Sequence, residues 1–263
     1  MDLHCHLLAG LDDGPGSLDE AISMCRMAWE EGTRSIAATA HLDTRWPQST
    51  PERILAGTGQ LAARLREIRL PLSVYPSAEA TIRPDMDMAW QRGELLGVAG
   101  RGNYVLIEMP MDVFVDARDA ITRLRACGVR PILAHPERCP ELLHDPGAIE
   151  TLIDVGALVQ ATSRGIAEPP DARSAAAIRR WVQRGVVHLV GSDGHSADHR
   201  PPEMAAAYRR IASWSGRESA DRICSLNGLA VLEGRPLRLP PPRPLGKSWF
   251  SFFKNSLGAS RSR

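Results

Sequence analysis

The chain has 263 residues, 43% of them hydrophobic, enough apolar mass for one sizeable core and a length that suits an α/β barrel. A formal charge of +1 gives no global attraction to nucleic acid, and no apolar run approaches the roughly 18 residues of a membrane span. The N-terminus opens acidic, without a basic and apolar leader, and the five cysteines (Cys5, Cys25, Cys127, Cys139, Cys224) are odd in number and form no C-x-x-C, so a soluble cytoplasmic body with reduced thiols is expected, not a disulfide framework or a thiolate zinc site.

In chain order, a short strand over 2–3 runs into His4-Cys5-His6, two imidazoles one residue apart that share a side of an extended segment. A helix is predicted over 18–31, with Ser17 and Glu20 as a capping box, then a strand over 35–40 that ends at His41. Thr50-Pro51 opens a helix over 51–66, and a strand over 72–77 leads to Glu79. A helix over 86–91 precedes a strand over 104–107 that ends at Glu108, and a helix over 117–126 precedes a strand over 131–134 that ends at His135. A helix over 148–155 is followed by a strand over 157–161 carrying Gln160, then a helix over 172–183 and a strand over 187–191 leading to Asp193 and His195. A last helix is placed over 202–213.

Strands alternating with helices of this length indicate parallel β/α units, and no glycine-rich nucleotide fingerprint follows the first strand. The expected fold is a distorted (β/α)7 TIM-like barrel. In such barrels the C-terminal ends of the strands form the active face, so the metal-capable residues that terminate the strands converge there. Five of the eight histidines hold such positions; His144, His188 and His199 do not, and are expected to be structural or surface residues. Imidazoles mixed with carboxylates and no thiolates suit Mn²⁺, Fe²⁺ or Zn²⁺, and the ligand set exceeds the needs of one ion. A thiol-based phosphatase is excluded, because the positions six beyond the cysteines are Leu11, Glu31, Leu133, Asp145 and Ala230, none an arginine.

His4-x-His6, Asp12-Asp13-Gly14-Pro15, Ala40-His41, Ala78-Glu79, Leu106-Ile107-Glu108, Ala134-His135-Pro136-Glu137-Arg138, Ser192-Asp193-Gly194-His195 and Arg200-Pro201-Pro202, in that order, resemble the polymerase and histidinol phosphatase (PHP) superfamily. Within it the chain is similar to the bacterial manganese-dependent protein tyrosine phosphatases of capsule and exopolysaccharide operons. The resemblance implies two or three divalent ions, Mn²⁺ foremost with Fe²⁺ or Zn²⁺ as alternatives. His4, His6, Glu79 and Asp193 would hold one, Glu79, Glu108 and His135 a second, and His41, His195 and a loop aspartate a third. For that aspartate Asp13 is chosen over its neighbour Asp12. Arg138 and Arg200 match the family's phosphate-binding arginines, and His41 or His195 would serve as general acid if not held on metal. The implied reaction is phosphotyrosine hydrolysis by a metal-bridged hydroxide, on a membrane tyrosine kinase that regulates polysaccharide synthesis. The alternatives are a histidinol-phosphate or other phosphomonoester phosphatase of the superfamily, or an amidohydrolase-like nuclease. Arg45 and Trp46, beyond His41, border the expected substrate.

Residues 1–233 are read as the barrel. The tail over 234–263 is proline-rich, lacks acids, and carries Arg235, Arg238, Arg243, Lys247, Lys254, Arg261 and Arg263. Its Ser248-Trp249-Phe250-Ser251-Phe252-Phe253-Lys254 run suits contact with an anionic membrane surface at the inner face, and the tail is expected to be flexible. A homo-oligomer is compatible with the sequence, and a nucleic-acid partner is not expected.

Overall fold

The computed structural model describes residues 1–110, 113–237, 239 and 242, so the aromatic and basic run over 248–254 lies outside the described residues. Seven strands form one sheet in sequence order with every neighbouring pair parallel: β1 (Asp2–His6), β2 (Ser35–His41), β3 (Ser73–Thr81), β4 (Tyr104–Glu108), β5 (Arg130–Ala134), β6 (Leu158–Thr162) and β7 (Leu189–Gly191). The ring closes just beyond β7, where Asp193 N donates to His4 O at 2.7 Å, His6 N donates to Gly194 O at 2.8 Å, and Cys5 bridges Gly194 in parallel. This is the expected seven-stranded barrel, with its first and last strands joined by a short seam.

Around it lie α1 (Leu18–Glu30), α2 (Pro51–Glu67), α3 (Met86–Gln91), α4 (Arg118–Ala126), α5 (Pro140–His144), α6 (Pro146–Asp154), α7 (Ser163–Ala167), α8 (Ala172–Arg184), α9 (Ala205–Ser215), α10 (Arg217–Asp221) and α11 (Asn227–Leu232), the last two joined by a π turn over Arg222–Leu226. The helix starts follow local chemistry: Ser17 accepts from Glu20 N at 3.2 Å, and Thr50 accepts from Arg53 N at 3.3 Å ahead of Pro51.

Alternation along each strand separates two environments. The outward row, including Ile36, Ala38, Val105, Ile107, Leu133 and Val159, packs beneath the helices, and the inward row, including Leu3, Ala37, Tyr104, Leu106, Ile132, Leu158 and Leu189, fills the barrel. Continuing the inward row toward the strand ends turns apolar residues into polar ones. Tyr104 and Leu106 are followed by Glu108, Ala37 and Thr39 by His41, Leu158 by Gln160. The barrel is therefore sealed by hydrocarbon below and chemically active above.

Several boundaries differ from the sequence reading. β1 extends through His6, so His4 and His6 sit within a strand of five residues; a register shift between Asp2 and Cys5 accommodates them. β3 continues past Glu79 to Thr81. His144 closes the short helix α5, where no helix was expected, and His188 precedes β7 instead of lying in it. The last expected helix begins at Ala205, after Pro201 and Pro202 have cleared the chain of residues without an N–H. Beyond position 233 the chain stays attached to the barrel: Tyr104 Oη donates to Arg235 O at 2.7 Å and Arg130 Nη1 to Leu237 O at 2.7 Å.

Candidate metal centre

The strand ends bring all nine expected ligands into one cluster. His4 Nε2 lies 3.1 Å from His6 Nε2, 3.3 Å from Glu79 Oε2 and 3.4 Å from Asp193 Oδ1. Glu79 is central: Oε1 is 2.8 Å from His135 Nε2, and Oε2 is 3.4 Å from both His6 Nε2 and His41 Nδ1. Glu108 Oε1 is 3.5 Å from His41 Nδ1. Asp13 Oδ1 sits 3.5 Å from His41 Nε2 and 3.4 Å from His195 Nε2. Donor atoms within 4.8 Å of one another form four overlapping groups: His6, Asp13, His41 and His195; His4, His6 and Asp193; His4, Glu79 and His135; His41, Asp43 and Glu108. His6 thus also faces the pair of histidines that the resemblance set apart from it, and Glu108 groups with His41 and Asp43, its nearest approach to His135 being 3.8 Å.

An outer layer aims these ligands. His4 Nδ1 is 3.1 Å from Gln160 Oε1, His6 Nδ1 is 2.6 Å from Asp12 Oδ2, and His195 Nδ1 is 2.9 Å from the Asp193 carbonyl. All three partners are acceptors, so each imidazole donates from Nδ1 and turns its Nε2 lone pair to the centre. Asp12 also accepts from His41 N at 2.8 Å and Gly14 N at 3.0 Å, so it braces the loop while Asp13 faces the cluster. The surroundings are tight. A Cβ on Gly191 would lie 2.4 Å from Gln160 Nε2 and 2.5 Å from His4 Cβ, which is why β7 ends in a residue without a side chain. His135 and Asp193 both adopt positive φ, 32° and 54°, conformations uncommon for residues with a Cβ that turn their side chains inward just past a strand end.

Sequence reasoning missed Asp43, and treated Asp12 only as a rival ligand. A carboxylate two residues after His41 was the available signal for Asp43. Thr81 Oγ1 donates to Glu108 Oε1 at 2.9 Å and lies 3.2 Å from Asp43 Oδ2, while Arg45 Nη2 lies 2.6 Å from Asp43 Oδ2 and 3.3 Å from Glu108 Oε1. Cys5 is fully buried against Gly194 and its thiol is pushed well above the usual range by burial, so it packs and does not react.

The residues present fit divalent cations. With His4 and His6 both donating from Nδ1, two lone pairs face each other 3.1 Å apart, an arrangement that repels unless one positive charge is shared between them. Glu79 Oε2 and His41 Nδ1 are buried without a hydrogen-bond partner among the described residues, which a cation would satisfy. The local field draws positive charge as well. Burial pulls His6 down, yet the Asp12 and Glu79 carboxylates outweigh it and carry the ring up to about 10. Burial likewise opposes Glu79, but His4 and His135 hold its carboxyl well below the usual range.

Beside the cluster two arginines meet at one atom: Arg138 Nη2 donates to Asp193 Oδ2, and Arg200 Nη2 reaches the same oxygen at 2.5 Å. Both line a cavity of about 420 Å³ that also exposes Glu79, His135, His195 and Asp13. The Arg138 turn (Pro136–Arg138) is anchored by its neighbour Glu137, whose Oε1 accepts from Thr162 N and Thr162 Oγ1, each at 2.7 Å. Of the remaining histidines, His188 is buried and accepts at Nδ1 from Val159 N at 2.9 Å, while His199 lines a neighbouring cavity with Arg200.

A family model described as capsular polysaccharide synthesis, CpsB/CapC, matches residues 1–233. The tyrosine-protein phosphatase YwqE of Bacillus subtilis (strain 168) is 30% identical over 255 residues, covering 96% of this chain and 100% of the relative. The tyrosine-protein phosphatase CpsB of Streptococcus agalactiae serotype III is 27% identical over 240 residues, covering 89% and 98%. A solved chain, from crystal structures of YwqE from Bacillus subtilis and CpsB from Streptococcus pneumoniae described as unique metal-dependent tyrosine phosphatases, superposes with a TM-score of 0.87 at 30% identity over 94% of this chain and 99% of that one. Since the matched stretch takes in the whole barrel and every residue of the cluster, the chain belongs to the CpsB/CapC family of capsular polysaccharide synthesis.

Proposed function

We propose that the protein is a metal-dependent protein-tyrosine-phosphatase, a phosphoric monoester hydrolase acting on phosphotyrosine of a membrane tyrosine kinase that controls capsular or exopolysaccharide synthesis. The observation that carries this is the adjacency, in one cavity, of a histidine and carboxylate cluster and two convergent guanidinium groups. The ligands are His4, His6, Asp13, His41, Glu79, Glu108, His135, Asp193 and His195, with Mn²⁺ as the ion of choice for a mixed imidazole and carboxylate set. When bound, the ions supply Lewis acidity toward a phosphoryl oxygen and lower the pKa of water.

The rest of the chemistry belongs to the chain. Arg138 and Arg200, held through Asp193, keep further N–H groups for phosphate, and planar guanidinium groups take two oxygens at a time as charge grows on the transferred group. His195 is fixed by its Nδ1 contact with the Asp193 carbonyl, so Nε2 is the one nitrogen it offers, to metal or to a proton and not to both at once; His41 presents Nε2 to the same Asp13 carboxylate. A phenol leaves with a pKa of about 10 and needs less protonation than an alkoxide, which supports phosphotyrosine over phosphoserine. The reading places the enzyme in the cytoplasm at the inner face of the membrane, with the basic, aromatic tail as a peripheral contact, and is compatible with a homo-oligomer.

Mn²⁺-loaded protein assayed side by side on a phosphotyrosine peptide, histidinol phosphate and single-stranded DNA tests this directly. Turnover of the peptide, lost with a chelator and absent in His135→Ala, is expected. Preference for histidinol phosphate or cleavage of the DNA would replace the proposal.

A further inference from the structure

The cavity has a second wall that the phosphate chemistry does not use. From the loop after β2 comes Trp46, and from the segment after β4 come Met109, Val113 and Phe114, all lining the same space as Arg138 and Arg200. Val113 is 58% exposed and Phe114 45%, so large apolar surface stands in water at the mouth of a polar site. The floor is the opposite: the Glu79 and His135 side chains are 1% and 10% exposed. Apolar groups kept exposed beside a charged cluster are unfavourable in the free protein and repay that only when a ligand covers them.

Resting on the phosphatase reading, we infer that Phe114, with Val113 and Trp46, forms the aryl subsite that grips the phenolic ring of phosphotyrosine and sets the selectivity against alkyl phosphates. A ring inserted between phosphorus and peptide backbone lets the phosphate reach the buried floor while the ring lies against the apolar mouth. A phosphoserine stem is shorter and carries no ring to lie against that surface. Aromatic faces favour offset or edge contact with a ring and offer an alkyl chain far less. Phe114 is thereby a specificity residue and Arg138 remains the phosphate-holding one, two roles that binding measurements separate.

The test uses non-hydrolysable ligands, so it does not depend on turnover. Benzylphosphonate and methylphosphonate are titrated calorimetrically into metal-loaded wild type, Phe114→Ala and Phe114→Tyr, with metal content and circular dichroism confirming the fold. Wild type is expected to prefer benzylphosphonate, Phe114→Ala to weaken that ligand roughly tenfold relative to methylphosphonate, and Phe114→Tyr to restore the preference. No preference in wild type, equal weakening of both ligands, or an unchanged ratio in Phe114→Ala overturns the aryl subsite. Failure of the wild type to turn over phosphotyrosine, measured separately, would instead count against the phosphatase reading.

Discussion

His4 and His6 each donate a proton outward from Nδ1, to Gln160 and to Asp12, and that pair of contacts decides which nitrogen faces the centre. Removing the acceptor frees the ring to rotate or change tautomer, and ligand strength falls without any ligand being deleted. Gln160→Ala and Asp12→Ala are therefore each expected to weaken Mn²⁺ binding by roughly 10- to 100-fold in competition with a chromogenic chelator. Unchanged affinity in both would remove the outer layer from the account. That these side chains would meet was legible for eight of the nine, His4, His6, His41, Glu79, Glu108, His135, Asp193 and His195, because each stands at or just beyond the end of an apolar run, where a barrel collects its chemistry, whereas Asp13 rested on the resemblance of its loop. The partition of ligands among ions was not, because it depends on which strand ends face each other: His6 lies as close to the His41 and His195 rings, 4.6 and 3.9 Å between centroids, as a ligand of their set would. Asp12 and Asp13 are equivalent in composition and differ only in which way the loop turns them.

At the scale of elements, His188 ties three of them together. Its Nδ1 accepts from Val159 N in β6, its backbone N donates to Val159 O at 3.0 Å, and its carbonyl accepts from Asn227 Nδ2 in α11 at 2.8 Å, just ahead of β7. Burial, with Arg130 nearby, pushes this imidazole down to about 4. An unfolded histidine titrates near 6.5, so between those values the unfolded chain binds the extra proton and stability falls as pH falls from about 6.5 toward 4. The loss from this group between pH 7.5 and pH 5 is about 2 kcal/mol. Urea unfolding of wild type and His188→Asn at the two pH values is expected to show a drop smaller by that amount in the variant; equal drops would mean the histidine is not held neutral. Strands and long helices were readable from β-branched runs, caps and helical period. The five-residue helices α5, α7 and α10 were not, because five residues do not complete enough turns to show a period. β1 was read too short because its five residues hold only Leu3 and Cys5 as apolar positions, and the polar His4 and His6 interrupt the run by which a strand is recognised.

Across the whole molecule, seven parallel strands arrange the apolar rows as a plug and the polar rows as a mouth, so fold and site are one design. The barrel was legible from strand count and helix alternation; its closure through Asp193 and Gly194 was not, since nothing in the local sequence marks a strand's extension as a seam. The same extension carries Asp193, so the seam that closes the barrel also completes the cluster. The tail adds a separate prediction. Residues 234–263 hold seven basic groups and no acid, and deletion of 240–263, which spares the contacts of Arg235 and Leu237 with the barrel, is expected to abolish flotation with anionic vesicles while leaving peptide hydrolysis in place. Flotation unaffected by the deletion would assign membrane contact elsewhere or nowhere.

The proposed chemistry depends on cations occupying the space shared by His4, His6, Glu79 and Asp193. An anomalous difference map recorded at the manganese edge from crystals grown with Mn²⁺ tests it directly. Peaks within coordination distance of His4 Nε2, His6 Nε2, Glu79 Oε2 and Asp193 Oδ1, with at least one more beside His41 or His135, are expected. A map with no peak inside the cavity, from protein that still hydrolyses phosphotyrosine, would contradict the account.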